Sequence, residues 1–239
     1  MMNLITKRTK IILIIQILIL SYPFMILPQQ NNEWNNKPAI FLVNCKPTHA
    51  TLMPYSNVLE AVDGNRTLSP FYSSPSGNWK SKLANNPAGT DTTFHKDNAD
   101  VSSWANIEVP GSWQLQGHDY PIYTNANYPW TGRENPPPPQ APVVYNPVGS
   151  YRREFIVPQS WNGGEIFLSF EGVESAFYVW INGIYVGYSE DSFTSKDFGI
   201  TEYLRHLTEV TKIVKLCSSC SEEPVYYIAL SGSASLKDS

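Results

Sequence analysis

Two carboxylates stand side by side at Glu190-Asp191, and paired carboxyl groups are equipment for general acid/base work. Hydrolysis of a glycosidic bond with retention needs two carboxyl groups about 5–5.5 Å apart, one acid/base and one nucleophile. Adjacent residues in an extended segment point to opposite faces, so this pair is badly placed to flank one bond and reads as structural. His49, His95, His118 and His206 are scattered, without metal-ligand spacing, and there is no Ser-His-Asp arrangement. Cys217 and Cys220 form a C-x-x-C pair, but zinc needs two more ligands and the only other cysteine is Cys45. A redox motif belongs beside a βαβ pattern, which is not present; in an exported chain the pair can instead oxidise to a tight local disulfide. The residues offer no catalytic set of their own.

The elements that would carry any site are strands. Phe177 to Ile181 (FYVWI) and Ile184 to Tyr188 (IYVGY) are aromatic and β-branched runs joined by Asn182-Gly183. Asn-Gly between such runs predicts a two-residue hairpin turn, because both turn positions need positive φ. Regular alternation then pairs Ile181 with Ile184, Val179 with Val186 and Phe177 with Tyr188 on one face. Tyr178, Trp180 and Tyr185 fall on the other, which either meets a neighbouring domain or is covered core. Tyr151 to Val157 and Ile166 to Phe170 read as flanking strands, with Ile166, Leu168 and Phe170 inward and Phe167 and Ser169 outward. Trp79 to Leu83, Ile107 to Val109 and Ile122 to Thr124 are shorter candidates. Many short strands between Gly, Pro and Asn punctuation predict an all-β sandwich or barrel.

Of 239 residues, about 210 remain beyond the N-terminal segment, the size of one all-β domain. Seven Trp, 14 Tyr and 10 Phe suffice for its core. A net charge of −4 without a basic stripe argues against nucleic acid as a partner. Residues 1–30 place Lys7, Arg8 and Lys10 before the apolar run Ile11 to Leu20, the layout of a secretory signal. The run falls short of the roughly 20 apolar residues that span a bilayer. No small-x-small cleavage pattern follows, so an uncleaved anchor is the alternative, and any membrane contact runs through this segment alone. The expected location is exported, periplasmic or extracellular. Asn65-Arg66-Thr67 is a glycosylation triplet, relevant only in a eukaryotic secretory route. Pro136 to Pro142 (PPPPQAP) reads as a rigid surface loop rather than a polyproline ligand.

The blocks PIYTNANYPW, NPVGSYRREFIVP and GVESAFYVWINGIYVGYSEDSFTSKDFGITEYL appear in order between Pro121 and Leu204. With HATLMPYSN, NRTLSP, SGNWKSKL and VPGSWQLQGHDYPIYTN upstream, they resemble the N-terminal sugar-binding domain of the glycoside hydrolase family 2 β-galactosidases. The resemblance implies a jelly-roll, galactose-binding-like β-sandwich over residues 31–205. It also implies that both catalytic glutamates belong to a barrel domain that this chain lacks. One asparagine of the YTN block reaches the galactose pocket in that family; here it is Asn125, whose amide can both donate to and accept from sugar hydroxyls. Without the resemblance, Asn125 reads equally well as a turn residue bonded to its own backbone.

The family uses magnesium and sodium. By resemblance, Glu33, Asn36 and Glu190 map to a structural magnesium site, and this chain alone is expected to hold no cofactor. Sodium belongs with an aspartate in a block of the form WSDGSYLEDQD, expected shortly after Leu204 and not found. Instead residues 206–239 read as a divergent tail without a recognisable partner strand, as a frameshift or early stop would produce. Two functions follow. In the first, the chain is the non-catalytic domain of a β-galactosidase, inactive alone, whose partners are the catalytic barrel and a weakly held β-galactoside. In the second, it is a free-standing carbohydrate-binding or adhesion module.

Overall fold

The Asn182-Gly183 turn has φ of 51° and 85°, as its sequence requires, and it joins two strands at the middle of a β-sandwich. In the computed structural model, residues 33–121, 127–128, 130–205, 210–218 and 228–232 are described, and all belong to one unit, Glu33–Ser239. The strands are β1 (Leu42–Val43), β2 (Tyr72–Ser73), β3 (Gly77–Ala84), β4 (Ala105–Val109), β5 (Val148–Ile156), β6 (Ile166–Phe170), β7 (Ala176–Ile181), β8 (Ile184–Glu190), β9 (Lys196–Gly199), β10 (Val210–Ser218) and β11 (Ile228–Gly232). Among the described residues one α-helix, α1 (Val58–Asp63), interrupts them. A seven-stranded sheet runs β1-β8-β7-β10-β5-β3-β4 and a four-stranded sheet runs β2-β11-β6-β9. Every strand pair in both is antiparallel.

The core between the sheets follows from alternation. Ile166, Leu168 and Phe170 of β6 are buried, while Phe167 and Ser169 face outward as expected. Opposite them lie Phe177, Val179 and Ile181 of β7, Trp79 of β3 and Tyr151 of β5. The second face of the large sheet is also buried, so the covered-core alternative holds. There Tyr178, Trp180 and Tyr188 pack with Phe94 and Trp104 from the 91–104 loop. Arg152 of β5 fastens that loop. It is 5% exposed, and its guanidinium donates to the carbonyls of Lys96 (3.1 Å), Asp97 (2.8 Å) and Ala99 (3.3 Å).

The register departs from the sequence reading at one place. Trp180 pairs with Tyr185 but Val179 pairs with Gly187, so Val186 is the extra residue of a β-bulge. Tyr188 therefore faces Tyr178 and not the Phe177 side. The physical reason is Gly187. A Cβ there would lie 2.4 Å from the Val43 carbonyl oxygen and 2.7 Å from the Phe198 ring. The bulge sets the side-chain-free position where β1 and β9 press closest.

The tail is a second correction. β10 pairs with β5 from Val210↔Ile156 to Ser218↔Val148 and with β7 from Ile213↔Ile181 to Ser218↔Ala176. β11 pairs with both β2 and β6. Residues beyond 206 thus supply a central strand to each sheet rather than lacking partners. The local pattern hid this, because Lys212 and Lys215 have opposite parity along the strand and leave neither face uniformly apolar.

Candidate functional site

The bulge brings the candidate carboxylates Glu33 and Glu190 to one pair of tyrosines. The rings of Tyr178 and Tyr188 lie 4.6 Å apart. Tyr178 donates its hydroxyl to Glu33 Oε2 at 2.8 Å and accepts from the Glu33 backbone N–H at 3.0 Å. Tyr188 donates to Glu190 Oε1 at 2.5 Å. Burial first, and then the facing carboxylate, pushes both phenols well above their ordinary range. They stay neutral and serve as donors. Tyr185 is raised by burial and by the Glu33 charge, and its buried hydroxyl has no partner among the described residues. Asn36 is exposed with φ of 59°.

Two carboxylates and an amide oxygen are hard oxygen donors of the kind magnesium takes, and the orphaned Tyr185 hydroxyl could bond a metal-bound water. Glu33 and Glu190 fit such an ion; Asn36 is brought near only by its place in the chain. Among the described residues, no group of three or more His, Cys, Asp or Glu is arranged to hold a metal ion.

Glu190 and Asp191 are engaged separately. Glu190 receives Tyr188, whereas Asp191, at φ of 81°, accepts from Lys196 at 3.3 Å. Hydrogen bonding from Thr194, with Lys196 adding to it, holds the Asp191 carboxyl below its ordinary value. The histidines are dispersed: His49 meets Asp197 at 2.9 Å, and His95 stacks on Trp180 at 5.5 Å. His206 lies outside the described residues. The Cys45 thiol donates to the Tyr188 carbonyl at 3.4 Å, and burial pushes it up to about 11. Cys217 falls in β10 and Cys220 lies outside the described residues.

Asn125 and the Ile122–Thr124 candidate strand also lie outside the described residues, as do residues 1–30. The flanks of Asn125 are described. Tyr120 and Tyr145 stack at 5.9 Å, and the Arg133 guanidinium lies over both rings, 5.6 and 5.8 Å from their centroids. Tyr145 donates to Asp119, 3.1 and 3.2 Å from its two carboxylate oxygens. Glu134 closes the Pro-rich segment by accepting from the Val143 and Val144 N–H groups at 2.8 and 2.9 Å. Asn35, two residues from Glu33, accepts from the Ala141 N–H at 2.9 Å. The segment is a tied-down surface loop docked on the Glu33 strand of chain. Tyr128, 68% exposed, stacks on Trp130 at 4.7 Å and 6°. Trp180, by contrast, is buried.

Sequence reasoning missed a second concavity on the outer face of the four-stranded sheet. The cleft holds ≈290 Å³. Ser169 of β6 is at its floor, and the 46–53 and 193–195 segments form its sides. Alternation along β6 was the available signal, since it put Ser169 outward.

A family model described as "Glycosyl hydrolases family 2, sugar binding domain" matches residues 72–224, well over half of the chain. The chain belongs to glycoside hydrolase family 2. The match to the family's sugar-binding domain runs through β10, past the point where the sequence reading ended the domain. A β-galactosidase of Priestia megaterium is 50% identical over 173 residues, 72% of this chain and 17% of that protein. A β-galactosidase of Clostridium acetobutylicum is 42% identical over 181 residues, 76% of this chain and 20% of its own length. The chain therefore spans about a fifth of the length of these curated relatives. Among solved structures, a β-glucuronidase from glycoside hydrolase family 2 superposes with a TM-score of 0.51 and 17% identity, over 68% of this chain and 17% of that one. At that identity the likeness concerns the fold alone, an antiparallel β-sandwich.

Proposed function

We propose that this chain is the non-catalytic sugar-binding domain of an exported β-galactosidase, acting with a catalytic domain that hydrolyses terminal β-D-galactosides. The observation that carries the reading is the 50% identity to the P. megaterium β-galactosidase over 72% of the chain. In this role Asn125 lends its amide to the galactoside, orienting sugar hydroxyls for chemistry performed elsewhere. The Tyr120–Arg133–Tyr145 stack joins residues on either side of Asn125, and the Glu134 closure ties down the Pro-rich segment that follows. Glu33 and Glu190 would hold a magnesium ion, which supplies positive charge between two carboxylates that otherwise repel. The Tyr178 and Tyr188 donors orient those carboxylates, and the docked Asn35 links that corner to the Pro-rich loop. The charged-then-apolar start of the chain supports export.

The test grafts this chain in place of the matching segment of the P. megaterium enzyme. The graft should hydrolyse a chromogenic β-galactoside, and Asn125→Ala in it should lower kcat/KM by about 10–100-fold, as loss of hydrogen bonds in a closed site does. A folded graft that is inactive, or one indifferent to Asn125→Ala, overturns the reading. The exposed Tyr128–Trp130 stack is the one feature that favours a free-standing carbohydrate-binding module. Lactose binding by the isolated chain that vanishes in Trp130→Ala would support that second reading.

A further inference from the structure

The cleft on the outer face of the four-stranded sheet is built from chemistry that the proposed function leaves unused. β6 places Ser169 outward, between Phe167 and Glu171 along the chain and beside Asp197 of β9, and its small side chain lines the cleft. Its ≈290 Å³ is close to the low end of small-molecule sites, which run from about 300 to 1,000 Å³, and suits one or two sugar rings. The extended 46–53 segment is fixed above the sheet at both ends. The Lys46 N–H donates to the Asp197 carbonyl at 2.8 Å, and Ser69 Oγ donates to the Pro54 carbonyl at 2.6 Å. The concavity is therefore preformed.

Four of its ionisable groups come already paired. The Arg66 guanidinium binds Glu171 on one side, and His49 meets Asp197 at 2.9 Å on the other. The Lys46 ammonium sits over the Phe167 ring at 5.2 Å. A phosphate or carboxylate entering here would find Arg66 already engaged by Glu171 and would gain only Lys46 against the repulsion of Glu171 and Asp197, so an anion gains little. An apolar ligand would bury two ion pairs without replacing their water. A neutral polyhydroxyl ligand avoids both costs. Planar guanidinium and carboxylate groups meet vicinal hydroxyls as donor and acceptor. Phe193, 73% exposed at the rim, offers a ring face to the C–H side of a pyranose. The β8–β9 loop that presents Phe193 is itself held by Lys196 and Asp191.

We infer that this cleft is a second saccharide-binding site, built by Ser169, the Arg66–Glu171 pair and Phe193 and separate from the Asn125 loop. It takes a neutral mono- or disaccharide with millimolar affinity, as an open site of this size allows. The inference stands independently of the β-galactosidase reading, because the graft assay reads Asn125 and catalysis whereas the present test reads binding to the isolated chain.

The experiment is a nitrogen-15 amide NMR titration of the whole chain with lactose, galactose and inorganic phosphate in parallel. Saturable shifts at Ser169, Glu171 and Thr194 are expected with at least one sugar, at half-saturation of about 1–10 mM, and not with phosphate. Ser169→Trp fills the floor and should weaken binding at least about 10-fold; Phe193→Ala, an exposed substitution that leaves the fold intact, should weaken it several-fold. No saturable shift by 50–100 mM sugar (about tenfold above the expected half-saturation), or shifts produced equally by phosphate, overturns the inference. So does undiminished binding in both variants. Loss of the shifts in Trp130→Ala with retention in Ser169→Trp would assign the sugar to the Tyr128–Trp130 stack instead.

Discussion

Arg152→Met tests the claim that a single buried guanidinium holds the outer aromatic layer in place. The arginine donates three hydrogen bonds to carbonyls of the 96–99 loop and is 5% exposed. Methionine keeps most of the apolar stem and removes every donor. A hydrogen bond to a charged group is worth about 1.5–3 kcal/mol, so three at face value approach the whole stability of a domain, about 5–15 kcal/mol. The loop can relax and rehydrate part of its backbone, so the net loss should be about 3–5 kcal/mol, the range for breaking a buried charged partnership. With urea slopes of about 1–3 kcal/mol/M, the midpoint should fall by at least about 1 M. Arg152→Lys keeps a charge but not the planar fork, and its loss should be intermediate. The local readout is amide exchange. The turn bonds Lys96 N–H to Thr93 O and Ala99 N–H to Lys96 O should open more in Arg152→Met than the global loss accounts for. A stability from urea melts unchanged to within about 0.5 kcal/mol, with normal loop protection, would refute the reasoning.

Burial, with Lys96 adding to it, holds the His95 imidazole below its ordinary 6.5, so below pH 6.5 the unfolded chain takes up its proton before the folded one. Stability from this group is complete above the unfolded value and declines as pH falls toward the folded one; His95→Gln should flatten that part of a stability–pH curve, and an unchanged slope counts against it. Gly187→Ala should lower stability by about 1–3 kcal/mol in thermal melts, because the new Cβ meets the Val43 carbonyl and the Phe198 ring; a parent-like melt would show that β1 yields without cost.

What could be read from sequence was whatever local chemistry decides. The Asn182-Gly183 turn and the β6 alternation depend on neighbours within a few residues, and both stand as expected. The Val186 bulge depends on Val43 and Phe198, one far upstream and one in the next strand, so a two-residue period could not reveal it. β10 was missed for the opposite reason. Its lysines obscure the period locally, while its place is set by the free edges of β5 and β7 on either side. Nothing local in YRREFIV singles out Arg152, and only the returning 96–99 loop makes it a buried donor. Asn125 and the magnesium residues came from resemblance; periodicity carries no information about a site whose ligands are distant in sequence.

The bulge also shows how fold and site are one problem here. Without the extra residue, Tyr188 would point between the sheets beside Phe177. Glu190, two residues on and on the same face, would follow it. With the bulge, Tyr188 stacks on Tyr178 and both hydroxyls meet carboxylates from opposite ends of the chain. The cost of a broken ladder is offset by closer approach of β1 and Phe198 at Gly187. The same register slip that tightens the core therefore brings Glu190 and Glu33 to one pair of stacked tyrosines, and the proposed magnesium site draws on a hairpin that is irregular at Val186.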